Sequence, residues 1–166
     1  MNETEKRGRW LLRLLATAAV LVWMVVIFLM SADDSEESSK KSEIVVDAVI
    51  EVAVDVKLTT REKVTPSVRD TIGFYVRKTA HATEYAILGA LIMLALAAWG
   101  LSRLAARAAI ALPIAAAYAA SDEYHQLSVS GRSGEWRDVL IDICGAAIGI
   151  LLTLLVMRIV RRKRRG

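Results

Sequence analysis

The sequence predicts an all-α polytopic membrane protein, with four transmembrane helices and an additional amphipathic helical segment on the outer side. Three observations carry that prediction. Hydrophobic residues make up 55% of the 166-residue chain, whereas ordinary soluble domains hold about 45–50% even with glycine counted. These residues collect in four runs without charge: Leu14–Met30, Tyr85–Leu101, Ala108–Ala120 and Ile143–Met157. No alternation of apolar and polar residues marks a barrel, and outside a barrel a spanning strand leaves backbone groups unpaired in lipid. The chain reads as one domain, residues 1–166, with spans near 10–30, 78–101, 104–121 and 136–158 and an outer segment at 31–77.

The first run is read as a retained span. Its 17 residues exceed the ~7–15 of a cleaved signal's apolar core, and cleavage after Ala32 puts bulky Met30 where a small residue is wanted. Ser31–Ser42, "SADDSEESSKKS", reads as a loop from its polarity. Glu43, Asp47, Glu51 and Asp55 then recur every four residues among Val, Ile and Ala. That spacing draws an acidic stripe on a helix. It also suits a strand, because the four acids share one parity and β-branched residues fill the other. Helix is preferred for 43–56, since a lone strand has no sheet to join. Thr65-Pro66 marks a helix start, Thr as cap and Pro in the first turn. That helix runs on, or kinks near Gly73, into the second span.

Lys and Arg in short flanking segments set orientation. With the N-terminus cytoplasmic, the inner segments hold twelve basic residues and two acids, Glu3 and Glu5. The outer side then holds ten basic residues and sixteen acids. Both termini are therefore expected inside. "RRKRR" at Arg161–Arg165, directly after an apolar run, reads as a stop-transfer signal and an anionic-lipid contact. No nucleic-acid partner is expected. Cys144 is the single cysteine, so it forms neither an internal disulfide nor a metal framework.

Span length points to a polar site. The second, third and fourth runs hold 17, 13 and 15 residues, or roughly 26, 20 and 22 Å of helix against about 30 Å of hydrocarbon. Basic residues pin their inner ends, so the outer ends must continue through polar residues. Those are Lys78, His81, Glu84 and Tyr85, then Asp122, Glu123 and Gln126, then Asp138 and Asp142. Ionisable groups at such depth cost about 2.5–3.5 kcal/mol each and turn toward one another or toward water. Asp138 and Asp142 share a helix face with Gly145 and Gly149, where small residues allow close helix approach. Arg132, on the short loop "SVSGRSGE", can fold over the cluster. Arg77, Glu135, Arg137 and His125 read instead as interfacial anchors. A purely structural salt-bridge cluster is the plain alternative to a binding site.

The stretches "RKTAHATEYAILG" (Arg77–Gly89) and "SDEYHQLSVSGRSGEWRDVLIDICG" (Ser121–Gly145) together resemble the VanZ-like family of bacterial membrane proteins. The likeness covers nearly the whole chain, although Glu43–Asp55 lies outside its strongest part. It implies residence in the bacterial cytoplasmic membrane and a link to low-level resistance to the glycopeptide teicoplanin. It brings no settled molecular activity. The family's recurring polar positions map to Lys78, His81, Glu84, Asp122, Glu123, Gln126, Arg132 and Asp138. Many members carry a proline in the loop where this chain has Ser130.

Three functions compete. In the first, a non-enzymatic envelope protein binds a glycopeptide, a lipid head group or an envelope precursor in the outer pocket. The pocket comprises Lys78, His81, Glu84, Tyr85, Asp122, Glu123, Gln126, Arg132, Asp138 and Asp142. In the second, the same groups perform acid–base or metal-dependent chemistry on an envelope substrate. "HATE" lacks the second histidine of a zinc helix, so no metal ligands are assigned and no cofactor is named. The third, an ion pathway, ranks lowest, because Leu88–Ala98 and Ile143–Met157 offer almost no polar steps.

Overall fold

The computed structural model describes residues 2–32, 35–129 and 135–163. Five α-helices follow in order: α1 (Glu3–Ser31), α2 (Ser35–Asp55), α3 (Pro66–Ala98), α4 (Leu104–Gln126) and α5 (Trp136–Lys163). A 3-10 turn at Arg61–Lys63 precedes α3, and no strand occurs among the described residues. Helices α1, α3, α4 and α5 are long and apolar enough to cross a membrane. Their 29, 33, 23 and 28 residues reach roughly 43, 50, 34 and 42 Å, each beyond the ~30 Å hydrocarbon. The polar residues expected at the outer ends, Lys78–Tyr85, Asp122–Gln126 and Asp138–Asp142, are thus helical.

Local chemistry sets the helix ends. Asn2 caps α1 in a reciprocal box: its side chain accepts from the Glu5 amide at 2.8 Å, and Glu5 Oε2 accepts from the Asn2 amide at 3.2 Å. Thr65 caps α3, accepting from the Val68 amide at 3.4 Å, with Pro66 in the first turn. From there α3 runs unbroken through Gly73. It stops at Gly100, whose φ of 95° suits a residue without Cβ. The amides of Gly100 and Leu101 bond back to the Ala97 and Leu96 carbonyls, a paired closure that satisfies carbonyls left over at a helix end. Helix α2 closes the same way, Lys57 and Leu58 bonding back to Val54 and Ala53. There the left-handed position is held by Lys57 at φ 61°.

The loop expected at Ser31–Ser42 is mostly helix. Ser31 ends α1 and Ser35 already begins α2. Polarity suggested a loop, but Glu36 and Glu37 stand four residues before Lys40 and Lys41, the order that favours helix. The segment 43–56, which fitted helix and strand alike, is helical to Asp55. Its acids lie on the exposed side, while Ser42 and Val46 are buried. Val46 packs toward Gly73 of α3, and Arg69 of α3 pairs with Asp47.

Helices α3 and α5 make the tightest contact in the bundle. A Cβ placed on Gly145 would overlap the Ala82 carbonyl, and one on Gly149 the Ala86 carbonyl. A Cβ on Gly89 would lie 2.6 Å from the Ala146 carbonyl oxygen. Two backbones therefore touch along Ala82, Ala86 and Gly89 on one side and Gly145, Ala146 and Gly149 on the other. In lipid, where no hydrophobic force drives one apolar helix onto another, such van der Waals contact is a main source of association. Tyr85, Leu88, Met93, Ala115, Ala119 and Ala146 form the buried core beside this seam. Helix α1 leans on α3 and α4 and buries Ile27.

At the basic end, three arginines converge on the α3–α4 turn. Arg13 of α1 donates to the Ala98 carbonyl at 3.4 Å, Arg107 of α4 to Leu101 at 2.5 Å, and Arg161 of α5 to Ser102 at 2.9 Å. Guanidinium groups thus meet the carbonyl-rich end of α3, where the helix dipole is negative. Arg13 also lies over the Trp10 and Trp99 rings, 5.5 and 5.3 Å from their centres. The Trp99 indole donates to Thr17 at 3.0 Å.

Two predictions follow from this packing. Gly149→Leu forces α3 and α5 apart, so folded protein recovered after detergent extraction and gel filtration should fall sharply. Gly8→Ala, with nothing within 4 Å of the added Cβ, should leave recovery unchanged. Lys57→Gly removes the strain of a side chain at positive φ, and should raise stability by about 1 kcal/mol in thermal or denaturant melts.

Candidate functional site

The expected site residues lie on three helices that the α3–α5 seam and the α4 packing bring together. Lys78, His81, Glu84 and Tyr85 come from α3, Asp122, Glu123 and Gln126 from the last turns of α4, and Asp138 and Asp142 from the first turns of α5. Glu84, Tyr85, Asp122, Glu123, Gln126 and Asp142 are buried. Lys78, His81 and Asp138 are half-buried. Arg132 falls outside the described residues.

Within this group Lys78 and Asp138 form an ion pair across α3 and α5. His81 Nδ1 lies 4.0 Å from Glu84 Oε2, one turn along the same helix. Asp142 is within electrostatic range of Asp122, Asp138, Glu123 and Glu84, so five carboxylates share one region. Tyr85, wholly enclosed, neighbours Asp122, Asp142 and Glu84 and forms the floor beside Tyr118, whose ring centre is 6.2 Å away. Its hydroxyl and Asp142 Oδ1 are buried and find no hydrogen-bond partner among the described residues. Buried polar atoms of this kind are usually satisfied by water or by a ligand.

The first helix enters the site through a residue that sequence reasoning did not single out. Ser31 is buried and donates to Asp122 Oδ2 at 2.9 Å. It accepts from Gln126 Nε2 at 2.6 Å, and Gln126 also reaches Asp122 Oδ2 at 3.4 Å. Trp23 donates to the Glu84 carbonyl at 2.9 Å, and Tyr118 donates to the Met24 carbonyl at 2.5 Å. The signal for Ser31 was its place as the first polar residue after the first apolar run. Polarity at a span end is common, so that signal was weak.

Glu123 holds the entry of α5. Its Oε1 accepts from the Glu135 amide at 2.5 Å, immediately before that helix starts. A carboxylate there meets unsatisfied amides and the positive end of the helix dipole. Among the anchors, His125 packs its ring on Phe28, centres 4.4 Å apart, and Arg137 lies over Trp136 at 6.0 Å. Arg77 departs from that role: it is half-buried and lines a cavity beneath α2 with Lys41, His81 and Glu84. Among the described residues no set of three His, Cys, Asp or Glu side chains is arranged to hold a metal ion.

The site's chemistry is that of an acid-rich, partly enclosed hydrogen-bond acceptor, with Lys78 and His81 at its edge. Removing one half of its ion pair should cost more than removing both. Lys78→Met leaves Asp138 without its cation and should destabilise the protein by about 1–3 kcal/mol. Adding Asp138→Leu should recover most of that loss, as melting of the two variants in one detergent would report.

Residues 16–158 match the VanZ/LLP1 family model. No curated protein and no solved structure matches the chain. The match reaches into all four spanning helices and includes every candidate site residue, and the chain belongs to the VanZ/LLP1 family.

Proposed function

We propose that this VanZ-like membrane protein acts in the bacterial envelope by binding a donor-rich component in the carboxylate site, with that site facing outward. The observation that supports this most is the gathering of five carboxylates where Asp142 Oδ1 and the Tyr85 hydroxyl are buried without a hydrogen-bond partner among the described residues. Glu84, Asp122, Glu123, Asp138 and Asp142 share one region with Lys78 and His81. Buried acceptors and hydroxyls left without a protein partner are usually satisfied by water or by a ligand. Acceptors in excess suit a ligand that brings ammonium or hydroxyl donors. Amino-bearing envelope precursors, amino-lipid head groups and glycopeptides all do so. The glycopeptide link rests on family resemblance, and the outward direction on the twelve basic residues gathered at the opposite ends of the spans.

In this reading Asp122 and Asp142 accept from the ligand at the base of the site, beside the Tyr85 hydroxyl. Arg132 and Lys78 hold any carboxylate or phosphate it carries. Acid–base catalysis is the second reading, favoured by the imidazole of His81 beside Glu84; turnover of a labelled envelope precursor by purified protein separates it from binding alone.

Asp122→Asn and Asp142→Asn keep side-chain shape and remove charge. At membrane levels matched to the parent chain, both should return teicoplanin susceptibility to that of cells lacking the protein. Full retention of the parent phenotype by both variants overturns the proposal.

A further inference from the structure

Helix α3 has a second working face. Residues 78, 82, 85 and 89 recur at helical spacing toward α5 and the core, whereas 72, 76, 79, 80, 83 and 87 face another way. Along that other face, α1, α2 and α3 line an open groove of about 710 Å³. Trp23 and Met30 of α1, Val45 and Val49 of α2, and Val76 and Ile87 of α3 are among its walls. The volume lies in the usual range for ligand sites, which are mostly apolar with few polar groups. A smaller cavity of about 220 Å³ adjoins it and shares Met30, Val45, Val76, Ala80 and Glu84 as walls. This second space is apolar over most of its lining but carries polar groups at one side. Lys41 from α2 and Arg77 from α3 reach it, along with Ser38 and Ser42. The acid lining it, Glu84, faces His81 at 4.0 Å. The combined space is therefore hydrocarbon along most of its length and cationic at one end.

We infer that this groove holds one chain of an anionic phospholipid, with its phosphate seated on Arg77 and Lys41 beneath α2. Charge complementarity selects the occupant. A guanidinium presents paired donors that match phosphate oxygens, and a lysine adds a point charge. Arg77 is half-buried, so an anion there is partly shielded from screening by salt. A lipid without net negative charge fills the apolar part equally well but gains less at the cationic end. Helix α2 then serves as the roof of a lipid site. That gives the amphipathic helix, whose acids face away from the groove, a reason to lie against α3. The inference is separable from the ligand of the carboxylate cluster: Glu84 borders both spaces, whereas Asp142 borders neither the groove nor its adjoining cavity.

The test uses the full chain purified in detergent and titrated with dioleoyl-phosphatidylglycerol or dioleoyl-phosphatidylcholine, with bound lipid counted by native mass spectrometry. The parent chain should retain phosphatidylglycerol in preference to phosphatidylcholine. Arg77→Gln should weaken phosphatidylglycerol binding about tenfold and phosphatidylcholine binding, whose phosphate is offset by its own ammonium, much less. Ala80→Trp, which fills the groove wall, should displace both. Because Arg77→Gln keeps the side chain polar and its apolar stem in place, its gel-filtration profile should match the parent's. Equal retention of the two lipids by the parent, or undiminished phosphatidylglycerol binding by both variants, overturns the inference. Asp142→Asn should leave lipid retention intact, so failure of the carboxylate proposal is read separately.

Discussion

The structure depends on one contact, the backbone-to-backbone approach of α3 and α5 at Gly145 and Gly149. In water, burial of apolar surface would draw these helices together at about 25 cal/mol per Å². In lipid that force is absent between them, and close packing must replace it. Glycine on α5 and alanine on α3 let carbonyls and α-carbons meet where any larger side chain would intervene. The same register sets Lys78 opposite Asp138 and Tyr85 near Asp142. A seam that looks purely structural therefore positions most of the chemistry. Its glycines and the carboxylates lie on one continuous face of α5, with Asp138, Asp142, Gly145 and Gly149 at helical spacing.

Much of this was legible in the sequence, for reasons that belong to the bilayer. Lipid admits few architectures, so four charge-free runs already imply four helices. Runs too short to span required helical continuation through Lys78, Asp122 and Asp138, and all three are indeed within helices. The Thr65-Pro66 start was equally plain, because a cap residue followed by proline has few other uses. The start of α2 was not. Serines and acids between two apolar stretches carry loop composition, and only the four-residue offset of Glu36 and Glu37 from Lys40 and Lys41 argued otherwise. Ser31 was hidden for a different reason: its importance comes from Asp122, 91 residues away, and no local pattern reports such a pairing. Arg77 was read as an anchor because its position in the helix says nothing of α2 folding over it.

The two ends of the bundle solve opposite electrostatic problems. At the α3–α4 turn, backbone carbonyls lack partners, and Arg13, Arg107 and Arg161 supply donors from three helices. Sequence reasoning took these arginines as topological markers, and the structure adds that they tie the turn to α1, α4 and α5. At the other end, carboxylates outnumber cations among the described residues. Glu123 is matched with the start of α5, and Asp122 with Ser31 and Gln126. Asp142 sits deeper, beside a tyrosine hydroxyl with no partner of its own among the described residues. The inner end is thus closed by its own hydrogen bonds. The carboxylate end keeps the Tyr85 hydroxyl and Asp142 Oδ1 buried without a partner among the described residues, which is what the proposed binding role draws on.

The account joins two claims, that α3 and α5 are adjacent at their polar ends and that those ends face out of the cell. One measurement addresses both. With Cys144→Ser as background, Lys78→Cys and Asp138→Cys are combined, and intact cells are treated with a short, membrane-impermeant bifunctional thiol reagent. The account predicts an intramolecular cross-link, read by mass spectrometry of the peptide pair, without permeabilising the membrane. Thiols that react only after permeabilisation, or that label separately without joining, would contradict it.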